Sequence, residues 1–257
     1  MRITKTGLGI VVAAAMSSSM TAAEEVVDPG DMTKVYTQVG TTIDSDSNIR
    51  LLGSLSGSHS NGDNFLFYGD VVFGDADFHD EDYGTAYNNA RLQYFHVMNT
   101  SLTSLPKIGF SIDAIHSRLP EVKHVGDDMS IVSAGIVGMI NPIYTGKFML
   151  FPNLAYAKGE MYGESVDGVL ANLYLTRRIA ENRSYIGFFP EYMNVSGGSV
   201  NRESIKLKLQ VGTPVTDSQR LWLITTYEHQ ESTQMISNHD YGWSNGSRVE
   251  LGFKYYL

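Results

Sequence analysis

Three groupings of residues in this 257-residue chain have the make-up that chemistry needs. Asp113, His116 and Ser117 lie within five residues of one another, and His239 adjoins Asp240. Each group sets a base beside a carboxylate, the first with a hydroxyl as well, as proton transfer or nucleophilic attack would require. The second grouping is acidic: five carboxylates fall among the eight residues 75–82. Asp75, Asp77 and Asp80 there suit a hard divalent cation such as Ca²⁺, which takes six to eight oxygens. The Gly and the distant Glu of a helical calcium loop are missing, and a solvated acidic loop is the simpler reading. The third grouping is the most extensive. Charges recur at alternate positions, as in Lys206 and Lys208 or Arg248, Glu250 and Lys254, and alternate residues of an extended chain share one face.

The elements that must position these residues are strands. In the run 204–211, Ile205, Leu207, Leu209 and Val211 fall on one face and Lys206, Lys208 and Gln210 on the other. Near the end, Val249, Leu251, Phe253, Tyr255 and Leu257 oppose Arg248, Glu250, Gly252, Lys254 and Tyr256. The same alternation predicts strands at 33–43, 48–57, 64–74, 89–99, 107–116, 129–140, 147–157, 168–176, 184–194, 204–212, 219–228 and 247–257, with no sustained helical period. Most run about 9 to 11 residues, the length of a tilted strand across a bilayer, against roughly 5 to 6 in soluble sheets.

The N-terminus is different. Arg2 and Lys5 precede an apolar stretch at 7–16 and a run of small residues ending at Ala23, the pattern of a cleaved secretory signal peptide over 1–23. What remains, 24–257, reads as one domain. The formal charge is −9 with 18% charged residues and no cysteine, so stability comes from the sheet rather than from disulfides, and nucleic acid is excluded as a partner. Mean hydropathy is −0.14, and the only long apolar run is the N-terminal one, which excludes a spanning helix but not a barrel, whose signal is spread over short segments.

Connections sort by parity. Those after even strands (58–63, 100–106, 141–146, 177–183 and 213–218) are short, while those after odd strands (75–88, 117–128, 158–167, 195–203 and 229–246) are longer, with only 44–47 short. Long loops at one rim and short turns at the other are expected of a barrel inserted from the periplasm, with the long set outside. The outer set carries about 16 acids against the four bases Arg118, Lys123, Lys158 and Arg202, whereas the inner turns carry Arg177, Arg178 and Arg183.

The final residues resemble the C-terminal assembly signal of bacterial outer-membrane β-barrels, with Glu250, Gly252, Tyr255 and Leu257 at its marked positions and Leu257 where Phe is more usual. In size and strand number the chain resembles small oligosaccharide channels and the outer-membrane phospholipase, without a motif specific to either. The resemblance implies an all-β fold, a transmembrane antiparallel up-and-down barrel of about 12 strands in the cell outer membrane. It also implies lipid and lipopolysaccharide as surroundings, the barrel-assembly machinery and periplasmic chaperones as partners, a monomer, and no cofactor beyond a divalent cation at the outer loops.

With the apolar face outward, the lumen receives Arg50, Tyr68, Asp70, Arg91, Gln93, Asp113, Asn172, Tyr174, Glu191, Lys206, Lys208, Gln210, Glu228, Arg248, Glu250 and Lys254. Asp70 with Arg91, Glu191 with Lys206 or Lys208, and Glu228 with Arg248 are expected to face one another in the outer half. Tyr68, Tyr174 and Trp222 are the inward aromatics able to stack on a solute. The belt reads either as a constriction in a narrow, porin-like channel for small hydrophilic solutes or as a salt-bridged wall. Strands five to seven are apolar on both faces, which predicts a partly filled lumen. The alternatives are a closed barrel whose acidic loops serve envelope integrity, attachment or phage reception, and a rim hydrolase using His116 or His239.

Overall fold

The computed structural model describes residues 27–75, 85–118, 128–236 and 239–257, and among these it contains thirteen strands and no helix. They are β1 (Gln38–Asp44), β2 (Ile49–Ser58), β3 (Asn64–Asp75), β4 (Thr85–Asn99), β5 (Lys107–Arg118), β6 (Asp128–Met139), β7 (Met149–Met161), β8 (Glu164–Arg178), β9 (Tyr185–Phe188), β10 (Glu191–Gly197), β11 (Val200–Pro214), β12 (Leu221–Ile236) and β13 (His239–Tyr256). The continuous strand expected at 184–194 is interrupted, because Pro190 has no N–H to give the ladder. Both halves still pair with β8 and β11, and the Phe189 N–H donates to the Lys208 carbonyl at 2.8 Å, so β9 and β10 form one stave. Twelve antiparallel staves therefore close into a barrel where β13 meets β1, from Gln38 opposite Tyr256 to Asp44 opposite Glu250.

Closure demands a close approach at that seam. A Cβ on Gly252 would lie 2.0 Å from the Thr41 carbonyl oxygen and 2.5 Å from Thr42 Cα, so no larger residue fits without moving the strand. The alternation sorts side chains as a membrane requires. On β11, Ile205, Leu207, Leu209 and Val211 are each about two-fifths exposed on the outside while Lys206, Lys208 and Gln210 turn inward. Val132, Ile136, Leu154, Tyr156, Leu251 and Phe253 extend this apolar exterior around the barrel, far beyond the patches a soluble surface tolerates.

The outer connections are shorter than the sequence suggests. β7 passes to β8 through the two-residue turn Tyr162-Gly163, with φ of 53° and 76°, and β10 passes to β11 through Gly198-Ser199. Positive φ at both central residues of the first turn, and at Gly198 (57°) as the first central residue of the second, is what tight hairpins of this hand require. β12 runs on to Ile236 and β13 begins at His239, so most of the expected loop 229–246 is ladder. Outward residues become polar there, as at His229 and Glu231, which breaks the apolar pattern without ending the hydrogen bonding.

Inside, half the barrel is filled. Met129, Ile131, Ala155, Ala157, Met161, Leu170 and Val195 pack together on β6, β7, β8 and β10 towards the outer rim, with Ile115 of β5 against them. Nearer the inner rim, Val137, Met139 and Phe151 pack with Phe95, Val97 and Met32. Met32 belongs to a segment at 27–37 that forms no strand. Only residues from 38 join the ladder of β1, later than the expected start at 33. This segment crosses the inner mouth as a strap. The Gly30 carbonyl accepts from Thr176 Oγ1 of β8 at 2.9 Å, the Thr33 carbonyl from Asn64 Nδ2 of β3 at 3.2 Å, and the Tyr36 carbonyl from Ser54 Oγ of β2 at 2.8 Å. Asp28 forms an ion pair with Arg178, and Val27 packs with Tyr185, Trp222 and Tyr256.

Candidate functional site: an ion-paired belt across the lumen

The inward charges form a continuous network at one level of the barrel. Register brings Glu191 opposite Lys206, Lys208 opposite Glu228, and Glu228 opposite Arg248. Lys206 Nζ lies 3.7 Å from Glu191, Lys208 Nζ lies 3.6 Å from Glu228, and Arg248 bonds to Glu228 while approaching Asp44 at 3.9 Å and Glu250 at 3.8 Å. Arg50 of β2 joins the seam, with one guanidinium nitrogen 2.7 Å from Asp70 and the other 2.9 Å from Glu250. Asp70 and Arg91 are register partners as expected, yet Asp70 bonds to Arg50, and Arg91 reaches elsewhere.

Arg91 divides the lumen. Its Nε donates to both oxygens of Asp113 at 3.0 Å and its Nη2 to the same carboxylate, while Nη1 donates to Glu191 at 2.6 Å. Glu191 is on β10, five staves from β4 in a ring of twelve, so this ion pair spans the interior almost from wall to wall. Gln93, two residues nearer the inner rim, donates to Asp113 at 3.0 Å and to the Tyr174 hydroxyl of β8 at 3.3 Å, a second tie beneath the first. On one side of these ties lies the packed apolar half. A cavity of about 470 Å³ surrounds these ties; residues of β2, β3, β11, β12 and β13 line it on the other side, and Ile115, Met129, Val137 and Phe151 of the packed half border it as well.

Burial within the belt is unequal. Asp70, Asp113, Glu228 and Glu250 have side chains only 3–5% exposed, against 29% for Lys206, 26% for Lys208 and 24% for Arg248. These four carboxylates sit against the wall, bonded and covered, with Glu191 more open at 15%, and the long side chains of Lys206, Lys208 and Arg248 lie over them. Charge that looks balanced by count therefore presents cations to the open cavity.

The expected aromatics separate into two kinds. Tyr68 and Tyr174 line the cavity. Trp222 points inward but is fully buried between Tyr185 and Tyr256, with Nε1 donating to the Gln219 carbonyl at 2.6 Å. It packs the mouth beside the strap and offers no face to a solute, which corrects its expected stacking role. Phe95 and Phe189 line the cavity in its place. Phe95 shares the inward parity of Arg91 and Gln93, so alternation alone could have found it; Phe189 is hidden by the break at Pro190.

Other groupings do not assemble. Ser117 lines the cavity, whereas His116, its neighbour on the strand, faces out and bonds to the Tyr87 hydroxyl at 2.8 Å, so serine and base lie on opposite faces. Among the described residues no three His, Asp or Glu side chains gather as metal ligands. Residues 1–23, Asp77 and Asp80 lie outside the described residues, as do the side chains of Asp75 and His239. At the closing strand, Glu250 and Gly252 face inward while Tyr255 and Leu257 lie exposed on the exterior.

The sequence matches no protein-family model and no curated protein. Among solved structures the barrel is similar to a KdgM porin in complex with disordered oligogalacturonate, with 12% identity and a TM-score of 0.46 over 87% of this chain and 99% of that one. It is also similar to the NanC porin, at 9% identity and a TM-score of 0.49 over 86% and 100% of the two chains. A third similar structure is OmpT, an outer membrane protein of Vibrio cholerae, at 10% identity and 0.43 over 86% and 96%. At such identities the chemistry of this lumen has to be read from its own residues.

Proposed function

We propose that this barrel lies in a bacterial outer membrane and works as a narrow channel for small hydrophilic solutes, with a preference for anions. The observation that carries the reading is the layering of the belt, where Lys206, Lys208 and Arg248 face the cavity over buried carboxylates at the level where Arg91 ties β4 to β10. Aperture and charge then act together: the tie limits solute size, and the exposed cations lower the barrier for anions in a lumen poorly screened by water. The apolar exterior supports the membrane setting. The outward Tyr255 and Leu257, with Gly252 fixed by the seam, support reading the last strand as the segment met by the barrel-assembly machinery.

Permeation into vesicles tests this. Liposomes carrying the refolded barrel should swell in small neutral and anionic solutes and stay intact in solutes too large to pass the tie. Correctly inserted barrel that admits none of them would overturn the channel and favour a closed barrel acting through its outer surface.

A further inference from the structure

Just below the belt the lumen changes character. On β4, Phe95 lies four residues nearer the inner rim than Arg91, and its ring meets Tyr174 edge-on at 5.7 Å. Tyr174 meets Phe189 at 6.3 Å. These three rings, from β4, β8 and the break between β9 and β10, form one row along the packed wall, and all line the cavity. On the far wall, Lys254 of β13 lies four residues below Glu250 and lines the same cavity. Arg50, Arg91, Lys206, Lys208 and Arg248 each hold a carboxylate, whereas Lys254 forms no ion pair with any described residue. Glu250 and Asp70 lie near enough to act on it through the field but not in contact. An ammonium group partly withdrawn from water with no carboxylate in contact is unfavourable, and an anionic ligand would offset that cost. Met32 and Val35 of the strap floor the space.

We infer that this chamber is a transit-binding site for small monoanions with a flat apolar body, of which aromatic carboxylates are the simplest. The carboxylate is held at Lys254, with Lys208 above it, and the ring lies against the Phe95, Tyr174 and Phe189 row. Charge-assisted hydrogen bonds fix the anionic end. Edge and face contacts between rings favour a flat body over a plain alkyl group. The chamber is the inner part of the cavity of about 470 Å³ that continues outward past the belt, and concave, mostly apolar walls with a few placed charges are what small-molecule sites have. The inference rests on the channel reading, because the chamber lies on the proposed path, but binding and conduction are measured separately.

Benzoate is the probe, with acetate and benzyl alcohol as controls that each keep one half of the ligand. Calorimetric titration of the refolded full chain in detergent should give saturable binding of benzoate and none of either control. Lys254→Gln should weaken it about tenfold or more, as losing one charge-assisted bond implies. Lys254→Arg should retain it, and Phe95→Leu should weaken it by a factor of about 2 to 10. Heat-modified migration on gels identifies variants that fail to fold, and the two positions give independent tests. In bilayers, benzoate should interrupt the current where acetate does not. Binding of benzoate to a barrel that carries no current would sink the channel and leave the site standing. A conducting barrel that treats benzoate and acetate alike, or a Lys254→Gln variant that binds benzoate as before, would overturn the inference.

Discussion

The ion pair between Arg91 and Glu191 makes an asymmetric prediction. Arg91 is 19% exposed and serves two carboxylates, Asp113 at 3% and Glu191 at 15%. In Glu191→Ala, Arg91 keeps the Asp113 carboxylate on two of its nitrogens and loses one charged hydrogen bond, a cost of about 1.5–3 kcal/mol. In Arg91→Ala, Asp113 is left with only the Gln93 amide, while Glu191 keeps Lys206 at 3.7 Å and the Asn172 amide at 3.5 Å, so the buried Asp113 charge is stranded at about 3–5 kcal/mol. The double variant should lose less than the two single losses together, by a coupling of about 0.5–3 kcal/mol. Urea unfolding followed by tryptophan fluorescence measures all three, since the chain has two tryptophans. Single-channel conductance is the second readout: either replacement removes the bar across the lumen and should raise it. Equal losses, strict additivity and unchanged conductance would show that the two side chains do not meet across the interior.

Further consequences concern the frame around the site. Gly252→Val should fail to assemble into a heat-resistant barrel, because its Cβ has no space beside the Thr41 carbonyl, whereas Gly246→Ala, with nothing within 4 Å, should fold normally. Thr176→Val removes the buried bond that holds Gly30, and urea titration should show a loss of about 1 kcal/mol together with a noisier current as the strap loosens. Leu207→Arg, on the lipid face of β11, should destabilise the barrel in bilayers by up to about 2–4 kcal/mol if it lies near the midplane.

Much of this architecture is legible in the sequence because period-two alternation is local. The inward parity of Lys206, Lys208 and Gln210, or of Arg248, Glu250 and Lys254, follows from eight or ten residues at a time, as does the expectation that β5 to β7 would fill their part of the lumen. What needs the closed ring is not legible. Arg91 meets Glu191 only because twelve staves bring residues a hundred positions apart to one level. The layering of bases over acids depends on side-chain length in a curved wall. Strand ends escape the alternation where the outer ladder becomes polar on its outward face, and the interruption at Pro190 conceals Phe189. The strap at 27–37 has no period, so its course across the mouth from Thr176 to Ser54 emerges only from the folded contacts.

The central claim is that the lumen conducts and that Lys206 and Lys208 set its charge preference. Reversal potential in a KCl gradient across a planar bilayer tests it most directly. The wild-type barrel should reverse on the chloride side of zero, and Lys206→Glu with Lys208→Glu should move the reversal towards potassium. A wild-type barrel that reverses on the potassium side, or a double variant with the same reversal potential as the wild type, would contradict the account.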